Sequence, residues 1–275
     1  MMTDPEQTGN LIETRLKVLT WNIWWRYGPW QNRRPAIVET LKRLDCDVIA
    51  LQEVWQDDST NLAAELAAEL GYFHVFVSSM EREGLGFGNA VLSRWPIIRS
   101  DSAMLYGAEE NGEGRVVLFA EIDGPRGRLP FFATHLNWKF EHSHIRQRQV
   151  ADLAGFVDAR KLSAFPPVVC GDFNADPTSE EIRMLTGLTT CPVEGLVFHD
   201  AWVAADHAGP GFTWDNANPY AAQILEPNRR IDYILTGWPK LRGAGHVVSC
   251  EVVAKDAVND VYPSDHYGVT AHLRY

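Results

Sequence analysis

The chain has 275 residues, of which 45% are hydrophobic and 22% charged, a profile that excludes a disordered, fibrous or membrane-spanning protein and supplies a sizeable core. Lys and Arg number 25 against 36 Asp and Glu, giving a net charge of -11, which argues against a broad basic surface for nucleic acid or anionic lipid but not against handling phosphate through a metal ion. Four cysteines without a C-x-x-C pair, a polar start without an apolar leader and no run of roughly 18 apolar residues predict a cytoplasmic protein with no zinc site, disulfide framework or transmembrane segment.

Beyond a polar tail at 1–15, LKVLTWN (16–22) reads as a strand. A helix follows in NRRPAIVETLKRLD (32–45), with Ile37, Leu41 and Leu44 at helical spacing and Pro35 near its start. The apolar run DVIALQEV (47–54) suits a strand buried on both faces. NLAAELAAELG (61–71) predicts a helix closed by Gly71, then FHVFV (73–77) a short strand and GLGFG (84–88) a loop. NAVLS (89–93), RVVLFAEI (115–122) and LPFFATHL (129–136) read as strands, and 142–164 as a long helix carrying Val150, Leu153 and Val157 on one face. PPVVCGDFN (166–174) contains another buried strand, and RIDYILT, HVVSCEVVA and YGVTAHLRY supply strands in the last third. With no linker and no short repeat, residues 16–275 predict one α/β domain in which two sheets pack together under outer helices.

Polar residues end these strands: Asn22, Glu53, His135, Asp172 with Asn174, Asp232, and Asp265 with His266 before the last strand. A strand fixes a side chain while its loop keeps it accessible, so such positions gather function. Glu, Asp, Asn and water are oxygen ligands preferred by Mg2+ or Mn2+, and this composition points to metal-assisted phosphoryl chemistry. Singly, each group also fits a plainer role, such as an Asx turn at Asp172 or Asp265. Asp200 reads as a helix cap, Cys170 as a small core residue, and His142 and His144 as surface groups.

TWN (20–22), QEV (52–54), THL (134–136), GDFNADP (171–177), RIDYIL (230–235) and SDHYGV (264–269) occur in the order seen in the endonuclease/exonuclease/phosphatase superfamily, which the chain resembles from residue 20 to residue 269. The resemblance implies a four-layer sandwich, two mixed β-sheets packed face to face with helices outside, and one cleft at its edge. It implies Glu53 as main metal ligand, aided by Asn22 and Asp265 directly or through water. Asp172 would orient or deprotonate the attacking water, Asn174 and His135 would donate to the phosphate, and His266, held by Asp232, would contact the phosphate or act as base. Arg115 stands where relatives often carry a basic residue. Trp24 and Trp138, in loops after Asn22 and His135, are candidates for substrate contact.

The resemblance leaves the substrate open. Trp24 and His135 depart from the pattern of abasic-site endonucleases, and Asp232-Tyr233 departs from that of the inositol phosphatases. Two enzymatic readings stay: a Mg2+-dependent phosphodiesterase of nuclease type, and a sphingomyelinase-like phospholipid phosphodiesterase, to which QEVW (52–55) and HDA (199–201) are similar. The third is a non-catalytic binding or scaffold module. A nuclease would profit from basic tracks, for which only Arg26, Arg33 with Arg34, Arg146 with Arg148, and Arg229 with Arg230 are available, and no extended nucleic-acid footprint is expected. For a lipid surface, the loop Trp24–Trp30 is the candidate contact.

Overall fold

The computed structural model describes residues 10–108 and 113–275; of the expected polar tail, residues 1–9 lie outside them. Among the described residues, twelve strands form two mixed six-stranded sheets. The first contains β1 (Arg15–Asn22), β2 (Val48–Gln56), β3 (Phe73–Arg82), β4 (Leu85–Ser93), β11 (Val247–Val253) and β12 (Gly268–Arg274), in the order β11-β12-β1-β2-β4-β3. The second contains β5 (Ile97–Met104), β6 (Val116–Gly124), β7 (Gly127–His135), β8 (Val168–Asp172), β9 (Phe198–Asp200) and β10 (Asp232–Gly237), in the order β5-β6-β7-β8-β10-β9.

Each sheet has one parallel pair among these neighbours, β1 with β2 and β7 with β8. A parallel pair needs a crossover, which helices supply here: α1 (Trp30–Leu44) joins β1 to β2 and α3 (Ser143–Asp158) joins β7 to β8. Alternation within the apolar runs then assigns every second side chain to a different layer. Val18, Val48 and Ala50 face inward with Leu118, Phe131, Val168 and Ile234 of the opposing sheet. Their neighbours Leu19, Trp21, Ile49 and Leu51 face outward, under α1 and α2 (Leu62–Leu70). On the other side Val117, Phe132, Val169 and Leu235 pack under α3 and the short α4 (Glu180–Leu185). The result is the helix–sheet–sheet–helix stack that continuous apolar strands require.

Several elements differ from the sequence reading. GLGFG is not a loop: Leu85–Gly88 begin β4, and a Cβ at Gly88 would lie 1.8 Å from the Val77 carbonyl oxygen on β3, so the glycine lets two backbones approach. The edge strand β5 was hidden by its polar sequence IIRSDSAM, five of whose eight residues are exposed. Helix α1 begins at Trp30, leaving Pro35 in its second turn, and α3 ends at Asp158, six residues short of the expected end. Asp200 caps the short helix α5 (Ala201–Ala204) by accepting from Trp202 N.

The glycine before Asp172 holds β8 close to β7. A Cβ on Gly171 would meet the Thr134 carbonyl oxygen at 2.3 Å, and that oxygen belongs to the strand ladder. Gly171→Ala is expected to cost about 2 kcal/mol or more, the scale of overpacking against immobile backbone. The urea midpoint of the purified variant checks this; an unchanged midpoint would contradict it.

Candidate active site

Strand register brings the polar strand ends together. His135 of β7 lies opposite Asp172 of β8, and Asp172 lies opposite Asp232 of β10, so three functional groups sit side by side across the second sheet. From the first sheet come Asn22 at the end of β1 and Glu53 of β2. Between Leu51 and Val54 the β2–β4 register shifts, with Gln52 and Glu53 facing Asn89 alone, and Glu53 adopts φ 57°. This bulge turns the Glu53 side chain out of the sheet alternation and into the cleft, at the cost of an unfavourable backbone angle. Asp265 and His266 arrive on the segment before β12, which Ser264 anchors by donating to the Asn22 carbonyl oxygen at 2.7 Å.

The cleft is a cavity of about 330 Å3, lined among others by Glu53, His135, Asp172, Asn174, Asp265 and His266. Asn22 holds its two halves together. Its Nδ2 donates to Glu53 Oε1 at 3.1 Å and to Asp172 Oδ2 at 3.0 Å, and its Oδ1 accepts from Trp24 N, which fixes the amide orientation. Asn22 is therefore a bridge between carboxylates, with its oxygen already engaged. Asn174 closes an Asx turn, its N–H donating to Asp172 Oδ1 at 2.9 Å. Its Nδ2 donates to the Leu136 carbonyl oxygen at 3.1 Å and lies 3.1 Å from His135 Nε2. Because the carbonyl can only accept, the Asn174 amide orientation is set, and His135 Nε2 stands between that amide and Asp172 Oδ2, which lies 3.4 Å away. Burial, then the charges of Arg115 and His266, hold His135 well below the usual imidazole range. The ring is neutral, and its Nδ1 has no hydrogen-bond partner among the described residues.

His266 is the opposite case. Its Nδ1 lies 3.0 Å from Asp232 Oδ2 and its Nε2 lies 3.7 Å from Asp172 Oδ2. Burial alone opposes a charge there, but Asp232 and Asp172 together outweigh it and hold the imidazolium pKa well above its usual value. The Trp214 ring covers this histidine edge-on at 5.1 Å. Burial, reinforced by Asp232 and opposed by His266, pushes Asp172 up to about 7. Asp265 is likewise pushed to about 7, by burial first and by the negative charge of Glu53, with His266 and Arg33 opposing.

Two groupings could hold a cation. Asp172, Asp232 and His266 offer ligand atoms within 4.8 Å of one another. That trio already has its counter-charge in the imidazolium proton. Asp232 Oδ1 lacks a donor among the described residues, as Glu53 Oε2 does, but Glu53 and Asp265 have no cationic side chain of those residues paired directly with them; they repel each other, and Arg33 acts on them only from its place among carbonyl oxygens. An orphaned carboxylate oxygen beside a second acid fits a hard divalent cation, and these two residues are the better candidate ligands.

Arg115 and Trp138 line the same cavity. The Arg115 side chain is buried, pairs with Glu113 at 3.2 Å, and leaves Nε and one terminal nitrogen unpartnered. Trp24 stacks against Tyr220 and over the Arg33 guanidinium at 4.7 Å, so it forms a fixed wall. The proposed basic tracks are mostly spent inside the fold. Arg33 donates to the carbonyl oxygens of Ile23, Trp24, Trp25, Tyr27 and Pro263. Arg146 pairs with Glu181, Arg229 with Asp176 and Arg230 with Asp200, while Arg34 pairs with Glu65 and Arg26 with Asp57. Of the candidates only Arg148, laid over Tyr106, remains exposed without a carboxylate partner among the described residues. Sequence reading missed Glu113 and the role of Arg33; nothing local distinguishes a buried arginine that pins loops from one that faces solvent.

Comparison with known proteins agrees with this geometry. The sequence model of the Endonuclease/Exonuclease/phosphatase family matches residues 19–266. A Drosophila melanogaster protein named as a putative neutral sphingomyelinase is 27% identical over 195 residues, covering 64% of this chain and 42% of its own length. The inositol phosphosphingolipids phospholipase C of Schizosaccharomyces pombe is 29% identical over 209 residues, covering 69% and 46% respectively. The chain thus spans under half the length of these curated relatives. Among solved structures, truncated Caenorhabditis elegans TDP2 superposes with a TM-score of 0.73 at 21% identity, over 96% of this chain and 99% of the other. A Bacteroides vulgatus endonuclease/exonuclease/phosphatase structure gives 0.72 at 21% identity, over 95% and 99%. At these identities the likeness concerns the fold.

The acids of this cleft link metal binding to pH. The Asp265 carboxyl titrates near 7 in the cation-free folded protein and near 3.8 when unfolded, so between these values the folded state holds the extra proton and loses stability as pH rises. A divalent cation must displace that proton below pH 7 and meets a free carboxylate above it. The Tm gain on adding saturating Mg2+ is therefore expected to be larger at pH 8 than at pH 5.5. Differential scanning calorimetry reads this directly, and a gain that falls with pH would contradict it.

Proposed function

The chain belongs to the endonuclease/exonuclease/phosphatase family, and from that premise we propose that the cleft hydrolyses phosphodiesters with a divalent cation, Mg2+ or Mn2+, held by Glu53 and Asp265. The observation that carries this reading is the unpartnered Glu53 carboxylate oxygen beside an Asp172–His266–Asp232 chain in one cavity. When bound, the cation supplies Lewis-acid polarisation of a phosphoryl oxygen. Asp172, with a pKa near neutrality and Nδ2 of Asn22 on its Oδ2, is suited to orient water and accept its proton. His266 is held protonated by Asp232 and is suited to donate from Nε2 to the phosphate, which assigns the base role to Asp172. His135 offers an unpartnered Nδ1, and Arg115 offers unpartnered donors, toward charge that develops on phosphoryl oxygens. Asn174 takes part by holding the His135 ring in place through its Nδ2 at 3.1 Å. A scaffold would have no use for a buried carboxylate oxygen and several buried donors left without partners, since each costs stability.

Within this reading the substrate's other half is a small or lipid head group rather than a long nucleic acid. Support comes from the arginines: most of those available for a backbone track are tied to internal acids or carbonyls. The names of the two sphingolipid-directed relatives accord with it.

The purified protein is expected to hydrolyse bis(p-nitrophenyl) phosphate with Mg2+ or Mn2+. EDTA, Asp172→Asn, Glu53→Ala and His266→Ala should each lower kcat/KM at least about a hundredfold, the scale of one acid–base or charge-stabilising group. Arg115→Ala should lose roughly tenfold to a hundredfold, as for a charged hydrogen bond. Full activity in EDTA or in Asp172→Asn would overturn the reading.

A further inference from the structure

Two loops form one lip of this cleft and carry large apolar side chains into solvent. After β7, Trp138 and Phe140 are 50% and 47% exposed; before β10, Ile224 and Leu225 are 57% and 89% exposed. Trp138 and Ile224 line the cavity itself. The loops adjoin, because the Arg229 guanidinium at the base of the second lies over the Phe140 ring at 4.4 Å. Leu225 has the highest exposure among the exposed large hydrophobic residues described, and its backbone adopts φ 63°, a left-handed conformation that a leucine pays to hold. The left-handed backbone closes the short helical turn Ala221–Gln223, but packing does not explain the apolar side chain that this turn holds extended in water. A covering that removes it from water does.

The position of the lip narrows what the covering is. Anything seated on Trp138, Phe140, Ile224 and Leu225 also lies across the mouth of the cavity. A protein seated there would block the site it covers, whereas a lipid surface would bring phosphodiester head groups to it. Charge narrows it further: Lys139 between Trp138 and Phe140 and Arg82 at the cavity are balanced locally by Glu113 and Glu226, Arg229 is engaged with Asp176, and the protein as a whole carries a net charge of -11. A zwitterionic surface is therefore favoured over an anionic one. We propose that the loops carrying Trp138, Phe140, Ile224 and Leu225 dock this protein on a zwitterionic lipid surface, with the cleft facing the head groups. The contact differs from the loop Trp24–Trp30 expected from sequence, where Trp25 is buried and Trp24 and Trp30 are packed against Tyr220 and Trp55. This inference rests on the phosphodiesterase reading with a lipid head group as substrate.

Co-sedimentation with phosphatidylcholine–sphingomyelin vesicles, and with vesicles enriched in phosphatidylserine, tests it on the full chain in the presence of EDTA, so that binding is read without turnover. The wild type should partition onto the zwitterionic vesicles, and Leu225→Asp should weaken this at least about tenfold, the scale of withdrawing one large apolar group and adding a charge. Leu225→Gly removes the side chain while relieving the backbone, so it should weaken partitioning with an equal or higher Tm, a combination that a purely structural role would not give. Both variants should hydrolyse a soluble diester with Mg2+ at the wild-type rate. No wild-type binding, binding confined to phosphatidylserine vesicles, self-association through the lip instead, or variants that bind as well as wild type would each overturn the proposal. Failure of the wild type to hydrolyse any soluble diester would instead overturn the underlying reading, and vesicle binding is measured independently of it.

Discussion

Four carboxylates, Glu53, Asp172, Asp232 and Asp265, are gathered at one end of the two-sheet sandwich, three of them buried, and their mutual repulsion sets the terms for the rest of the site. Removing a carboxylate from water is costly unless it is paired or hydrogen-bonded. The protein meets part of this internally. His266 lies between Asp232 and Asp172 and stays charged there, and Asn22 gives a hydrogen to each of Glu53 and Asp172. Arg33, buried and spent on carbonyl oxygens, adds a fixed positive charge near Asp265 and Glu53, and its own pKa is lowered to about 10 by burial. What these groups leave over, among the described residues, is one unpartnered oxygen on Glu53, one on Asp232, and an Asp265 whose charge is disfavoured; only the Asp232 carboxylate has the charged His266 ring against its other oxygen. The overall acidity of the chain is thus expressed locally, as a deficit of positive charge at a single cleft.

The fold makes this crowding possible by register. Parallel pairing of β7 with β8 and antiparallel pairing of β8 with β10 set His135, Asp172 and Asp232 in one row, and no side-chain contact is needed to align them. The first sheet contributes differently. Glu53 reaches the cleft through a bulge that departs from strand alternation, and Asp265 through a segment tied down by Ser264 and by Arg33, whose guanidinium joins Ile23 to Pro263. Glu53, Trp24 and Asn174, where these two supports meet, are among the non-glycine residues at positive φ. Strain of this kind persists only where surrounding contacts over-determine it, as the carbonyl ties of Arg33 and the Asx turn at Asp172 do here.

Much of this was legible in the chain because apolar runs that end in Asn, Glu, His or Asp state both a strand and its functional end. Asn22, His135, Asp172 and Asp232 were found that way, and the helices between parallel strands followed from their periodicity. Other features depend on contacts between distant segments. The GLGFG stretch has the composition of a loop, and only the close approach of Val77 on β3 shows why glycines stand in a strand. Arg33, Arg146, Arg229 and Arg230 read as surface charge until the fold surrounds them with carbonyls and acids. Asn22 has an oxygen suited to a metal, and only the fold shows that this oxygen also accepts from the Trp24 amide while Nδ2 bridges two carboxylates. Leu225 shows no signal in sequence; its exposure and its left-handed backbone exist only in the folded loop.

The central claim is that the uncompensated charge lies between Glu53 and Asp265 and that a divalent cation neutralises it. A crystal soaked in Mn2+ and measured at an anomalous wavelength addresses this without reference to turnover. The account predicts a peak within direct coordination distance of Glu53 Oε2 and an Asp265 carboxylate oxygen. A peak confined to Asp172, Asp232 and His266, or none in the cleft at saturating Mn2+, would contradict it.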